Sequence, residues 1–538
     1  MRNHIMKLLV AGALLVVAAC NGKKDGTTPQ GGDGNDNSSQ GHTPDLVGRP
    51  APVQKELSVK AKAAFQEATK DVQDVLKGVA EKGGKWSQSD CEKVAEAFGK
   101  VAKETAGEKD AVAQARFNEG VAWSKCQNDD KASTAYRAAL SANPRYAPAK
   151  VNMAEMYTRQ GNTSSAWETF LQAFMAAPED VDANYNLAVL LEQKDFRGEM
   201  APPELRNFWK KLNFDPKTAG DVAELHLRMV LAKSSAGKSM RDATLNLKAY
   251  SLMALMYYHQ SRHRKNRSKL TLASLVLKEA QKVLQKEIVK GQFCKDPEKA
   301  TYFDIAVAQM RNIAGLILLR REQLVEAMYR FEAALKCNAD FIEAHMNRAA
   351  IALGFRGYWI AHDSFQRVLK LQPRNLDATV GLGVAYRGIA TDPDPRGQQK
   401  QKEDWYKLAV AQYEASLKLD PNASDAIYNL GYLYMDYVND INLAEKWYKE
   451  YLNRPPRTTD ETARREVKTQ LDEIVYQREI AAKMAKIKTQ ADADRLKREE
   501  EEKRRKEHEA MQPMTAPTPP DMGETPGMPA DGMPAGMN

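Results

Sequence analysis

Between residues 55 and 456 the chain carries apolar and small residues at spacings of three and four, the period of amphipathic helices. Phe65, Val72, Leu76 and Val79 share one face, and Val94, Ala97, Phe98 and Val101 share another, which predicts an N-terminal helical segment over 55–112. From Ala113 a longer period appears. Gly120, Ala154 and Ala188 are 34 apart, as are Ala132 and Ala166, Tyr136 and Phe170, Ala139 and Ala173, and Pro144 and Pro178. Ala327 and Ala361, and Phe331 and Phe365, return to the same register. Small residues let two antiparallel helices approach closely, and the aromatic fills the gap one turn on. Proline cannot continue the helix. One such pair cannot bury its own apolar face, so neighbouring pairs must stack.

The register divides the chain. Residues 113–234 hold three repeats, two regular (113–146 and 147–180) and a third starting at Val181. A segment with Pro202, Pro203 and Pro216 interrupts the third, whose second helix resumes with Ala223, Leu227 and Val230. Residues 235–307 read as a degenerate repeat with Ala273, Leu277 and Ala280 on its second helix and a basic loop, 259–269, between its helices. Residues 308–458 hold four more repeats, starting at Ala308, Ile342, Leu376 and Ser424, the third with an insert around 391–401. Over 459–510 the pattern becomes one long charged helix. Val467, Leu471, Ile474, Val475 and Ile480 are expected to cover the end of the stack, and the run beyond Asp494 has no apolar face. Residues 511–538, rich in Pro, Gly and Met, are expected to be disordered.

The 34-residue period and these residue types resemble the tetratricopeptide repeat (TPR) family. The resemblance implies an all-α, TPR-type right-handed α-solenoid with the first helix of each pair lining a concave groove. In peptide-binding members the sixth repeat position is often Asn; here it is Asn118, Asn152, Asn186, Asn347 and Asn429, with Ile313 and Gly381 breaking the ladder. An amide donates and accepts at once, which suits an extended peptide backbone. Arg159, Arg320 and Arg387, with Lys125 beside them, stand at neighbouring groove positions and suit a carboxylate.

The ends change the picture more than the composition does. Arg2 and Lys7 precede a short apolar run, 8–19, ending in Val17-Ala18-Ala19-Cys20. This resembles a lipobox, which implies a signal peptide over 1–19 and an acylated Cys20 as first mature residue. Asn21 is not the Asp that retains lipoproteins in the inner membrane, so the resemblance implies the outer membrane, facing the periplasm. Residues 20–54 read as a flexible tether. Removing Arg2 and Lys7 takes the basic residues from 79 to 77 against 71 acidic ones, a net charge of +6, too mild to imply nucleic acid. After the leader, no stretch reads as a membrane span. Cys91, Cys126, Cys294 and Cys337 remain, and four cysteines allow three connectivities. The nearest in sequence, Cys91 with Cys126 and Cys294 with Cys337, are the favoured disulfide candidates; four buried thiols are the alternative. The absence of CxxC gives a zinc ribbon or thioredoxin site no support.

The segment 232–239 fits a loose P-loop pattern, but helical spacing precedes it where a P-loop needs a strand. With no catalytic motif, metal set, cofactor or nucleotide site, the chain reads as a non-enzyme. The expected role is a scaffold anchored to the outer membrane by its lipid, binding a segment of another envelope protein. Such lipoproteins resemble TPR components of envelope machines, the pilus secretin pilotins and the myxobacterial gliding-motility apparatus, with the second favoured. The alternative is an adaptor or regulatory subunit of a cell-wall enzyme.

Overall fold

The computed structural model describes residues 57–81, 86–234, 239–263, 267–392, 401–455 and 461–511. Cys20, the leader, the tether, the tail beyond 511 and residues 235–238 of the P-loop-like segment lie outside them. The described residues contain helices and no β-strand, the all-α TPR-type fold of stacked helix pairs. The chain divides into two compact units, residues 1–412 and 413–538.

In the first unit α1 (Val59–Glu81) packs on α2 (Gln88–Glu104), α3 (Lys109–Lys125) on α4 (Asp129–Ala142), and α5 (Ala147–Arg159) on α6 (Thr163–Ala176). The next pair is α7 (Val181–Phe196) and α9 (Ala219–Ser234), with α8 (Pro203–Lys210) inserted between them. Then come α10 (Met240–His263) with α11 (Arg267–Val283), α12 (Tyr302–Arg320) with α13 (Leu324–Leu335), α14 (Ile342–Gly354) with α15 (Tyr358–Leu371), and finally α16 (Leu376–Ile389) and the start of α17 (Lys402–Leu419).

The same turn closes α3, α5, α12 and α14. Gln127, Gly161, Glu322 and Arg356 all have φ between 57° and 78°. The next residue's N–H then reaches back to the carbonyl five positions earlier: Asn128 to Trp123, Asn162 to Tyr157, Gln323 to Leu318 and Gly357 to Ala352, at 2.8–3.1 Å. This 6→1 bond with a left-handed residue is the Schellman arrangement, and it satisfies carbonyls the helix end would leave orphaned. Asn128 and Asn162 then cap the second helix, each Oδ1 accepting from a backbone N–H at 3.1 Å.

In two pairs of the first unit an aromatic sits sixteen residues after a glycine. A Cβ on Gly120 would lie 2.5 Å from the Tyr136 ring, and one on Gly315 would lie 2.4 Å from Phe331. Only glycine permits that approach.

The segment containing Pro202 and Pro203 is a packed helix. Leu205 and Trp209 of α8 are buried, and Trp209 meets Phe174 and His226 at ring distances of 6.4 and 5.4 Å. His226 is fully buried, its Nδ1 2.7 Å from Asn184 Oδ1. Asn184 Nδ2 donates to the carbonyls of Pro178 and Asp180, which fixes Oδ1 as acceptor and Nδ1 as the protonated ring nitrogen. Burial lowers the His226 pKa to about 3.

Two expectations are corrected here. The stretch 259–269 is not a loop throughout: α10 runs to His263 and α11 starts at Arg267, with only 264–266 outside the described residues. α12 is long and apolar enough to cross a membrane by length and composition, with a mean hydropathy of 1.2. It packs against α10, α11 and α13, and a helix enclosed on several sides is apolar nearly all round.

In the second unit α18 (Ser424–Leu433) continues into a π-helical turn, Tyr434–Val438, before Asn439 takes φ 57° and α19 (Ile441–Asn453) begins. Tyr448 covers Gly431, seventeen residues on where Tyr136 and Phe331 stand sixteen after Gly120 and Gly315. The π turn absorbs that extra residue and keeps ring and glycine in register. α20 (Glu461–Met511) buries Val467 and Ile474 against α19, with Leu471 half-buried. Val475 and Ile480, expected to join them, are 53% and 41% exposed, because a helix packed along one stripe turns the intervening positions outward. From 475 to 510 every residue is exposed except Asp492, which is half-buried.

Candidate functional site

Three of the sixth-position asparagines bridge neighbouring pairs. Asn186 is buried and its Nδ2 donates to Glu155 Oε1 of the preceding first helix at 3.2 Å. Asn347 Nδ2 donates to Asn312 Oδ1 across the same kind of joint at 2.9 Å. Asn152 Nδ2 donates to Tyr136 Oη at 3.1 Å, and Ser124 Oγ is 3.0 Å from that phenol. Burial raises the Tyr136 pKa to about 12. Asn118 is 1% exposed and its Oδ1 has no hydrogen-bond partner. In the second unit Asn429 Nδ2 donates within its own helix to the Asp425 carbonyl at 2.7 Å.

The arginines differ from one another. Arg159 pairs with Asp129 of the preceding second helix, Nη2 to Oδ1 at 2.8 Å. Arg320 is exposed at the end of α12, and Arg387 is half-buried in α16. Lys125 is half-buried at the end of α3, and burial lowers its pKa.

What gathers around the Asn186–Glu155 bond is a mixed-charge cluster carried by four first helices: Glu155 on α5, Asp182 on α7, Lys248 on α10 and Tyr302 on α12. Burial, then Asp182, raises the Glu155 pKa to about 7, while Lys248, Asn186 and Arg159 oppose the rise. Lys248 Nζ stands 4.4 Å from the centre of the Tyr185 ring, and burial lowers its pKa against the pull of Glu155 and Asp182. Arg241 Nη2 pairs with Asp182 Oδ2 at 2.7 Å. Burial, then Glu155, raises the pKa of Tyr302, which is 43% exposed. Such a surface offers a ligand donors, acceptors and both charges on one rigid face.

Sequence reasoning missed this cluster, though half of it had a signal. Glu155 is the ninth residue of its repeat and Asp182 the second of the next, both on the first-helix face. Lys248 lies where the repeat is degenerate, so its place could not be counted.

Elsewhere, His259 Nδ1 lies 2.5 Å from Glu192 Oε1, and no group of three metal-ligating side chains occurs among the described residues. A depression of about 190 Å³ between Leu417, Ile427, Trp447 and Arg454 in the second unit is smaller than ordinary ligand pockets. Disulfides join Cys91 to Cys126 and Cys294 to Cys337.

No family model matches the chain, and no curated protein matches it. Solved structures do. A tetratricopeptide repeat protein from Parabacteroides merdae is 13% identical, with 60% of this chain and 99% of that one covered, at a TM-score of 0.37. Pseudomonas aeruginosa pilF is 16% identical, with 52% and 94% covered, at 0.34. The human IFIT1 dimer with m7Gppp-AAAA is 14% identical, with 80% and 91% covered, at 0.38. At these values the fold assignment rests on the helix pairs of this chain itself.

Proposed function

We propose that this chain is a protein-binding scaffold anchored to the outer membrane through acylated Cys20, facing the periplasm, whose first-helix face holds a segment of another envelope protein within a motility, secretion or pilus machine. The observation that carries the reading is the cluster of Glu155, Asp182, Lys248 and Tyr302, which puts charge and hydrogen-bonding capacity on the first helices of four neighbouring pairs, as a ligand lying along that face would need. The lipobox-like Val17-Ala18-Ala19-Cys20 supports the anchor, and Asn21 supports the outer membrane. Affinity comes from many weak contacts along the face.

Photo-crosslinking in cells tests it. A crosslinking residue replacing Tyr302 or Arg320, on the first helix, is expected to trap one and the same envelope protein. The same residue replacing Tyr329, 67% exposed on the second helix of that pair, is expected not to. Capture from position 329 alone would move the binding surface off the first helices. Loss of membrane fractionation and acyl labelling in Cys20→Ala is the expected result for the anchor, and an unchanged fractionation would remove it.

A further inference from the structure

The two disulfides differ in what surrounds their sulfurs. Cys126 Sγ lies 3.1 Å from the Ser87 carbonyl oxygen, whose lone pairs oppose negative charge on sulfur. At the other bridge Arg311 of α12 sets Nη1 2.8 Å from Cys337 Sγ and 3.8 Å from Cys294 Sγ, and the same nitrogen donates to the Ala333 carbonyl at 2.9 Å. Burial, then Arg330, lowers the Arg311 pKa, but a guanidinium stays charged. The two sulfurs are also unequal in access. Cys337 is completely buried at the end of α13, while Cys294 is half-buried in the connection between α11 and α12, with φ 55°. The Asp304 carboxylate accepts from the N–H groups of Cys294 and Thr301, and Lys295 and Lys336 flank the two cysteines in sequence.

We propose that Cys294–Cys337 is a thiol-exchange site, opened by a dithiol that attacks Cys294 while Cys337 leaves as a thiolate beside Arg311. One reductant thiol gives its proton to solvent, and its sulfur bonds to Cys294 Sγ, the accessible atom. The Cys294–Cys337 bond breaks and its electron pair stays on Cys337, where the guanidinium compensates the charge. The second reductant thiol then attacks the first reductant sulfur in the mixed disulfide. A reductant disulfide forms, Cys294 departs, and it takes the proton that the second thiol gives up. Two electrons pass from dithiol to cystine, leaving a Cys294 thiol and a Cys337 thiolate.

The reaction releases a joint. The connection holding Cys294 is otherwise tied to later pairs by the Pro297 carbonyl, which accepts from Ala339 N at 3.0 Å, and by Glu298, which pairs with Arg367 of α15 at 2.8 Å. Arg367 also holds Asp340 at 2.6 Å. Opening the bridge removes the covalent member of that set and leaves the backbone hydrogen bond and the Arg367 ion pairs, of which salt weakens the latter.

The test uses the oxidised full chain in dithiothreitol redox buffers, each cystine being counted by alkylation and peptide mass spectrometry. Because one proton is lost to solvent, the equilibrium constant for reducing Cys294–Cys337 is expected to rise about tenfold per pH unit between pH 6 and 7.5. That for Cys91–Cys126 is expected to stay flat. Arg311→Met is expected to slow the opening of Cys294–Cys337 about tenfold and leave Cys91–Cys126 unchanged, with Arg311→Lys close to wild type. A flat pH response at Cys294–Cys337 in the wild type would overturn the proposal without any variant. So would an unchanged rate in a folded Arg311→Met.

Discussion

At the scale of single residues, the repeat has one position where the backbone demands what most of its side chains resist. Of the four left-handed turn residues Gln127, Gly161, Glu322 and Arg356, only Gly161 adopts that conformation without a steric penalty. Glu322→Gly is therefore expected to raise stability by about 1 kcal/mol and Gly161→Ala to lower it by about as much, read from denaturant midpoints. If both substitutions moved the midpoint the same way, the turn would not be what sets the difference. Glu155 gives a second prediction. Its pKa is raised from the usual carboxyl value to about 7, so the fold prefers the protonated form. That contribution is complete below about pH 4.5 and is lost as pH rises through 7. Glu155→Gln keeps an acceptor for Asn186 and removes the charge. Its thermal midpoint should match wild type at pH 4.5 and exceed it at pH 8, by roughly 2 kcal/mol of stability. Coincident midpoints at both pH values would mean that the ionised carboxylate is accommodated. The asparagine positions were countable from the 34-residue spacing, but their partners were not. Whether Asn186 meets a ligand or Glu155 depends on how one pair stacks on the next, which no single repeat encodes.

At the scale of elements, small and aromatic positions made the pairs legible because both are forced by helix–helix distance. The segment holding α8 was legible only as an interruption. Eight residues are too few to show a period, so Trp209 looked like any other tryptophan in an insert. α20 shows the opposite case. Its extent was readable from charge alone, but not where it leaves the stack. Beyond Arg478, which still pairs with Glu445 at 2.7 Å, helix is held by surface pairs such as Lys506–Glu502 at 2.9 Å. Each such pair contributes about 0.3–0.5 kcal/mol and weakens in salt. Warming is therefore expected to cause a gradual early loss of far-ultraviolet ellipticity, larger in 1 M salt. A chain stopped after Arg478 should lack this phase and keep the main transition. An early phase that survives the truncation would place the weak helix elsewhere.

At the scale of the whole molecule, the first unit is a succession of nearest-neighbour contacts, in which each pair is stable because of the pairs beside it. Such a chain responds locally: an insertion, an extra residue or an opened bridge perturbs its own joint first. The bridge from Cys91 in α2 to Cys126 after α3 bears on this in a mechanical sense. If the amino terminus is held at a membrane, as proposed, and a partner draws on the helices further along, tension enters through these first two pairs. The bridge spans a separation of 35 residues, roughly 120 Å of chain if drawn straight. While the sulfur–sulfur bond holds, that length cannot unspool, so load passes through the covalent shortcut and the distance from anchor to partner keeps an upper bound even when the helices inside the loop have melted.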